Sequence, residues 1–134
     1  SEENLKDQVK ALTGGKGVDV IYDPVGGDFS EQAFRAIAWD GRFLVIGFAS
    51  GPIPAIPLNL MLLKGASLVG VFWGAWAARF PSESQNNFDE LIRMIDSGQF
   101  SPLVTEVYPL DQYKAAFASI SERRAKGKVI LSMA

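Results

Sequence analysis

The chain has no histidine and no cysteine, and its charges are nearly balanced. Its 134 residues include 13 Lys plus Arg and 15 Asp plus Glu. The missing residue types exclude disulfides, Cys/His zinc sites, thiol nucleophiles and histidine-based acid/base catalysis from this chain. A formal net charge of -2 without a basic run argues against nucleic acid as a partner. The length is sufficient for one ordinary domain with a hydrophobic core.

The N-terminal sequence, SEENLKDQVK, has neither a basic segment nor an apolar segment of the signal-peptide type. It starts without methionine in a helix-like pattern, so we expect a fragment of a longer protein. A chain without cysteine is typical of reducing compartments, which predicts a cytoplasmic location.

Two stretches contain no charged side chain, Phe43 to Leu63 and Gly65 to Ala78. A membrane-spanning helix needs about 18 or more continuous apolar residues. Glycines and prolines interrupt the first stretch, and the second is too short. We therefore predict a buried sheet with its connecting loop, and no membrane segment.

Helical and strand-like patterns alternate along the first hundred residues. Apolar spacing predicts a helix over residues 2–13, followed by a strand at Val18–Tyr22. Asp28 and Glu31 resemble a capping box, which predicts a helix that runs to about Trp39. The next predicted elements are a buried strand at Phe43–Ile46, a short helix at Leu58–Leu63 and a strand at Ser67–Phe72.

The remaining pattern predicts two further helices and two short strands. They are an amphipathic helix with apolar residues from Phe88 to Ile95, a strand at Val104–Tyr108, a helix from Tyr113 to Ile120 with Asp111 as its N-cap, and a strand at Lys128–Leu131. Alternation of strands and helices implies right-handed crossovers and a parallel sheet covered by helices.

Small residues follow three of the predicted strands. Ligands of open α/β sheets bind beyond the carboxyl ends of the strands. We therefore expect Gly26-Gly27, Gly47 and Trp73-Gly74 to converge at one edge of the sheet. The alternative is that these glycines only form tight turns.

Four blocks of the sequence, GVDVIYDPVGG, GRFLVIGFASG, IPLNLMLLKGASLVGVFWG and ERRAKGKVIL, resemble the medium-chain dehydrogenase/reductase superfamily. More narrowly, they are similar to its zinc-independent NADPH:quinone oxidoreductase branch. The resemblance implies an α/β fold, the second half of a Rossmann-type doubly wound parallel sheet with a C-terminal return segment. Residues 1–100 would be the C-terminal half of the dinucleotide-binding domain, and residues 101–134 would return toward the catalytic, GroES-like domain.

The resemblance also implies a set of cofactor-binding residues. Pro24, Val25 and Gly26 would lie against the adenosine side of the cofactor. The nicotinamide ribose would contact Ile46, Gly47 and Phe48, and the backbone at Val71, Phe72 and Trp73 would bind the carboxamide. Arg124 or Lys128 would reach the phosphates, although both could equally be solvated charges beside a turn. The glycine-rich phosphate-binding turn would lie before Ser1.

The function implied for the parent protein is hydride transfer from NADPH, or alternatively NADH, to a quinone or enone, without a metal. No residue of this chain is expected to be catalytic, because the cofactor carries the chemistry. We expect the isolated chain to be inactive. The alternatives are a noncatalytic nucleotide-binding or dimerisation module and a piece of a zinc-dependent alcohol dehydrogenase.

Several other residues have two interpretations. The aromatic residues Phe72, Trp73, Trp76 and Phe80 could form a substrate wall or bury a subunit contact. The strand Ser67–Phe72 is predicted to be the edge of a homodimer, as the resemblance implies. Tyr22 and Tyr108 could donate protons but are expected in the core. Asp19 and Asp23 are expected to be helix-capping or solvent-exposed groups.

Overall fold

The computed structural model describes residues 4–133, which divide into one unit ending at Arg79 and a second unit starting at Phe80. The first unit contains helix α1 (Leu5–Leu12), strand β1 (Val18–Asp23), helix α2 (Asp28–Arg35), strand β2 (Ile37–Val45), helix α3 (Leu58–Lys64), strand β3 (Ser67–Gly70) and helix α4 (Trp73–Arg79). The second contains helix α5 (Pro81–Asp96), strand β4 (Val104–Pro109), a 3-10 turn (Leu110–Gln112), helix α6 (Tyr113–Ser121) and strand β5 (Lys128–Ser132).

The three strands of the first unit form a parallel sheet in the order β1-β2-β3. Their register places Asp23, Val45 and Gly70 level with one another at the carboxyl edge. A helix lies in each connection, as parallel pairing requires of crossovers. The predicted α/β fold with a parallel sheet is therefore confirmed.

The core of the first unit lies on one face of this sheet. Phe34, Ile37 and Phe43 are at most 1% exposed, and Leu60 is 8% exposed. The rings of Phe34 and Phe43 have their centroids 5.8 Å apart with a 43° tilt. The two aromatic side chains thus fix α2 against the central strand through buried, tilted ring packing.

The helix predicted to reach Trp39 ends at Arg35, so that part of the prediction is wrong. Ile37 instead begins β2 and pairs with Val18. The backbone N–H of Val18 donates to the carbonyl of Ala36 at 3.2 Å. This backbone pairing with the start of β1 replaces the next helical turn, because the same N–H and C=O groups cannot serve both structures.

Three other details also differ from the predictions. Gly27 is the N-cap of α2 and makes no side-chain cap bond, so Asp28 and Glu31 do not form the predicted capping box. β3 ends at Gly70, two residues before the predicted end, since a new helix begins at Trp73. The N-cap of α6 is Gln112, because Asp111 lies inside the 3-10 turn.

Two helices differ from the predictions in length. The helix expected over residues 2–13 is observed as α1, Leu5–Leu12, and residues 2 and 3 lie outside the described part of the chain. α5 starts at Pro81, well before Phe88, because proline suits the first helical position.

Among the described residues, every helix falls short of the length and apolarity that a bilayer crossing requires.

In the second unit, β4 and β5 form a parallel pair and α6 packs against both. A polar group joins these elements: the carboxylate of Glu106 accepts hydrogen bonds from the hydroxyls of Tyr108 and Ser119. Ser119 is fully buried. The bond to Glu106 satisfies its hydroxyl, which would otherwise destabilise the fold in this position.

We predict that replacing a core ring destabilises the chain far more than replacing a surface ring. Phe43→Ala should lower the free energy of unfolding by about 3–5 kcal/mol, because it leaves a cavity beneath α2. Phe29 is 59% exposed, so Phe29→Ala should change the free energy of unfolding by less than about 1 kcal/mol. Urea denaturation of the two variants and the unmodified chain measures both values. Equal losses would contradict this description of the core.

Candidate functional site

The turn after β1 and the turn after β2 are joined along their length by backbone hydrogen bonds. We call residues 23–27 the first turn and residues 46–51 the second turn. The bonds run from the N–H groups of Ile46 and Gly47 to the carbonyl of Asp23, from Ala49 to Pro24 and from Ser50 to Val25, at 2.9 to 3.3 Å. The two turns therefore form one continuous backbone surface at the carboxyl edge of the sheet.

Gly26 allows this close approach of the two turns. Its φ is +71°, which favours glycine over residues with a side chain. A Cβ at this position would lie 2.9 Å from Cδ1 and 3.2 Å from Cα of Phe48. The paired glycines of DPVGG thus bring the first turn against the second.

The end of β3 adjoins the same surface. The backbone N–H of Val71 donates to the carbonyl of Val45 at 3.0 Å, so the chain stays beside β2 beyond the end of β3. A cleft of about 480 Å³ opens here. Its lining consists of Val45, Ile46, Gly47, Phe48, Gly70, Val71 and Phe72. Among the described residues, none that lines this cleft has a charged side chain.

Most of the predicted site residues of the first unit meet at this edge. Those that line the cleft are Ile46, Gly47, Phe48, Val71 and Phe72. The first-turn residues Pro24, Val25 and Gly26 adjoin the second turn through the bonds and contacts given above. Trp73 is not among the lining residues, because it begins α4 and its ring stacks on Trp76 with centroids 5.0 Å apart.

Both predicted phosphate-binding residues belong to the second unit. The guanidinium of Arg124 forms an ion pair with Glu122 at 2.8 Å on the protein surface. Lys128 is the first residue of β5, and its backbone N–H donates to the carbonyl of Leu103 at 2.7 Å. Their cofactor roles stay predictions, and the choice between them stays open.

Asp23 has a larger structural role than the sequence indicates. One of its carboxylate oxygens accepts the N–H groups of Val25 and Gly26, both at 2.9 Å, and the other accepts the hydroxyl of Ser30 at 2.6 Å. Asp19, by contrast, lies at the surface with Lys16. Nothing in the sequence indicates that Ser30, seven positions further along the chain, is a hydrogen-bond partner of Asp23.

The two tyrosines considered as proton donors differ in environment. Tyr22 is 66% exposed, so its expected place in the core is wrong. Tyr108 is half-buried, and its hydrogen bond to Glu106 raises the pKa of the phenol. A phenol that is held in this way becomes a weaker proton donor.

The residues of this chain do not fit a zinc centre. Cysteine and histidine, the usual zinc ligands, are absent from the sequence. Within residues 4–133, no group of three or more acidic side chains is arranged to hold a metal ion.

The chain is similar to a set of reductases and dehydrogenases. It is 39% identical over 133 residues to a quinone oxidoreductase-like protein 2 homolog of Nematostella vectensis, covering 98% of this chain and 36% of the relative. The structure superposes on a quinone oxidoreductase of Pseudomonas syringae with a TM-score of 0.77 at 30% identity, covering 98% of this chain and 40% of the other.

A mycobacterial protein complexed with NADPH has a TM-score of 0.79 at 27% identity, with 98% of this chain and 41% of that one covered. The chain thus spans about two fifths of the length of these three proteins. The sequence model of a zinc-binding dehydrogenase matches residues 3–131. The chain therefore belongs to the zinc-binding dehydrogenase family, and with it to the medium-chain dehydrogenase/reductase superfamily, of which it represents the C-terminal portion.

Proposed function

We propose that this chain is part of an NADPH-dependent oxidoreductase that transfers hydride to a quinone or enone. The observation that carries the proposal is the cleft at the carboxyl edge of the sheet, where three parallel strands end. This is the edge at which open α/β sheets bind nucleotides. Its apolar lining and closely joined backbone turns suit a flat, uncharged ring.

The residues at this edge fit the proposed cofactor. The nicotinamide end would lie in the cleft against Gly47, Phe48 and Val71, and the adenosine side would lie along the first turn. When bound, the cofactor supplies the hydride. The residues of this chain contribute by orienting the ring and keeping water from it, which positions the reactants.

The names of similar proteins support the choice of substrate and cofactor. The Nematostella relative and the Pseudomonas syringae structure are described as quinone oxidoreductases or quinone oxidoreductase-like. The mycobacterial structure contains NADPH. We extend the quinone substrate and the NADPH cofactor to the longer protein of which this chain is a part. We also propose a cytoplasmic location for that protein.

A longer protein carrying this chain should oxidise NADPH when a simple quinone is supplied, and a chelator should not abolish that activity. Gly47→Ala tests the site directly. The added Cβ would lie 3.4 Å from the carbonyl of Pro24, an ordinary contact, so the fold should tolerate it. Because Gly47 belongs to the cleft lining, we expect the KM for NADPH to rise about tenfold, equivalent to about 1.4 kcal/mol.

The matched control is Ala11→Ser, which adds one heavy atom at an exposed position of α1, outside both turns and the cleft lining. It should leave the KM within about twofold of the unmodified value, a change of less than about 0.5 kcal/mol. Thermal melting verifies the fold of both variants. An inactive parent, a loss of activity with chelator, or an unchanged KM in Gly47→Ala would count against the proposal. Dependence on zinc would favour an alcohol dehydrogenase instead.

The isolated 134-residue chain should bind NADPH weakly and have no reductase activity. The glycine-rich phosphate-binding turn expected in this superfamily is not in its sequence, so the backbone contacts of that turn to the pyrophosphate are missing. Isothermal titration with NADPH should give a Kd above about 10 μM, or less than about 7 kcal/mol of binding free energy. Tighter saturable binding would show that this chain alone forms the cofactor site.

We also propose that the chain forms a homodimer through the free edge of β3. Among the strands that the structure describes, β3 pairs only with β2. Its side chains Leu68 and Val69 are 39% and 38% exposed. An apolar edge of this kind is a template for pairing with a second strand. A module that only dimerises would show this association without any binding of NADPH.

Val69→Lys should weaken that dimer, because two copies of the edge would bring like charges together. We expect the dimer dissociation constant to rise at least about tenfold, or about 1.4 kcal/mol. Leu12→Lys is the control, since Leu12 is 87% exposed on α1 and distant in sequence from the edge. Sedimentation analysis across a concentration series compares the two. Equal effects of both variants would contradict an interface at β3.

A further inference from the structure

The carboxylate of Asp23 organises the whole first turn. Its oxygen Oδ1 accepts two backbone N–H groups, those of Val25 and Gly26, both at 2.9 Å. These residues lie in the turn that contains positive φ angles at Gly26 and Gly27. Because glycine has the largest conformational freedom of any residue, such a turn needs fixed partners to hold one conformation.

The second carboxylate oxygen connects the turn to the following helix. Oδ2 of Asp23 accepts the hydroxyl of Ser30 at 2.6 Å, and Ser30 is only 1% exposed. Ser30 lies in the first turn of α2, a helix that is packed on the sheet through Phe34. Because Ser30 is buried, its hydroxyl depends on the carboxylate of Asp23 as its hydrogen-bond acceptor. The packed helix α2 therefore fixes the position of that carboxylate.

The same residue also holds the second turn. The carbonyl of Asp23 accepts the backbone N–H groups of Ile46 and Gly47 at 3.0 and 3.3 Å. Ile46 and Gly47 both line the cleft. Because these two bonds use the main-chain carbonyl, a substitution of the Asp23 side chain leaves them in place.

We propose that Asp23 and Ser30 are positioning residues for the cofactor: they hold the first turn in its binding shape before the cofactor arrives. This inference rests on the proposed function. A turn that is already ordered loses less conformational entropy when a ligand binds, which improves affinity without any new contact. The pair should therefore affect cofactor affinity and leave the hydride-transfer step unchanged.

The ionisation of Asp23 agrees with this role. Partial burial alone would raise the pKa of its carboxyl group, but the hydrogen bonds from Ser30, Gly26 and Val25 outweigh it and lower the pKa from its ordinary value. Since the folded-state pKa is lowered, the stabilisation is fully present above the unfolded value of about 3.9 and is lost as the pH falls through the folded value. At neutral pH, the carboxylate is available to all three donors.

Steady-state kinetics of the longer protein test the proposal with four variants. Asp23→Ala and Ser30→Ala should each raise the KM and Kd for NADPH about tenfold, while kcat stays within about twofold. Asp23→Asn should rescue most of the affinity, to within about threefold, because its side-chain oxygen accepts the same two N–H groups. Asp19→Asn removes a surface carboxylate of the same strand and should have no effect.

A second measurement needs no cofactor. In the 134-residue chain, amide hydrogen exchange of Val25 and Gly26 should accelerate at least about tenfold in Asp23→Ala and Ser30→Ala, because the turn opens locally. Exchange in β2 should stay unchanged, which shows that the fold is intact. Asp23→Asn and Asp19→Asn should exchange like the unmodified chain.

The two measurements separate this inference from the proposed function. If the unmodified longer protein does not bind NADPH, the proposed function fails, and exchange alone still shows whether Asp23 and Ser30 hold the turn. If it binds NADPH and the alanine variants bind equally well, the positioning role is wrong. Unchanged exchange in the alanine variants would overturn the inference in either case.

Discussion

Parallel pairing of β2 with a neighbour on each side is the constraint on which the arrangement of the first unit depends. It places Asp23, Val45 and Gly70 at the same level of the sheet. Parallel strands need crossovers, and their carboxyl ends meet at one edge. The two joined turns and the cleft are therefore consequences of strand direction. The buried rings of Phe34 and Phe43 secure the central strand in this position.

The sequence predicts the alternation of helices and strands and hence the parallel sheet, but it misplaces the boundary at the start of β2. Ala36, Ile37 and Ala38 continue an apolar pattern that suits a helix face as well as a buried strand. Tertiary contact decides between them. A Cβ at Gly17 would lie 2.3 Å from the carbonyl of Ala36, so only a glycine lets the two segments pair this closely. Periodicity within a segment contains no information about such a partner.

The candidate site was predictable to a similar extent. Glycines after strands indicate turns at one edge, and the resemblance to a family supplied the candidate cofactor roles. The connection from Asp23 to Ser30 could not be anticipated, because it depends on the path of the chain through Gly27 into α2. Trp73 leaves the cleft lining for a similar reason. The start of α4 directs its ring to Trp76, and that helix was not predicted.

Under the proposed function, the uncharged lining of the cleft has a consequence for turnover. A pyridinium ring carries a positive charge after it has given up hydride, whereas the dihydropyridine ring before it is neutral. An apolar wall with no carboxylate to compensate that charge disfavours the cation, because removing an ion from water without a partner is costly. If this chain binds the proposed cofactor, a cleft lined by Val45, Phe48 and Phe72 would therefore favour the reduced coenzyme, NADPH, over the oxidised coenzyme, NADP⁺.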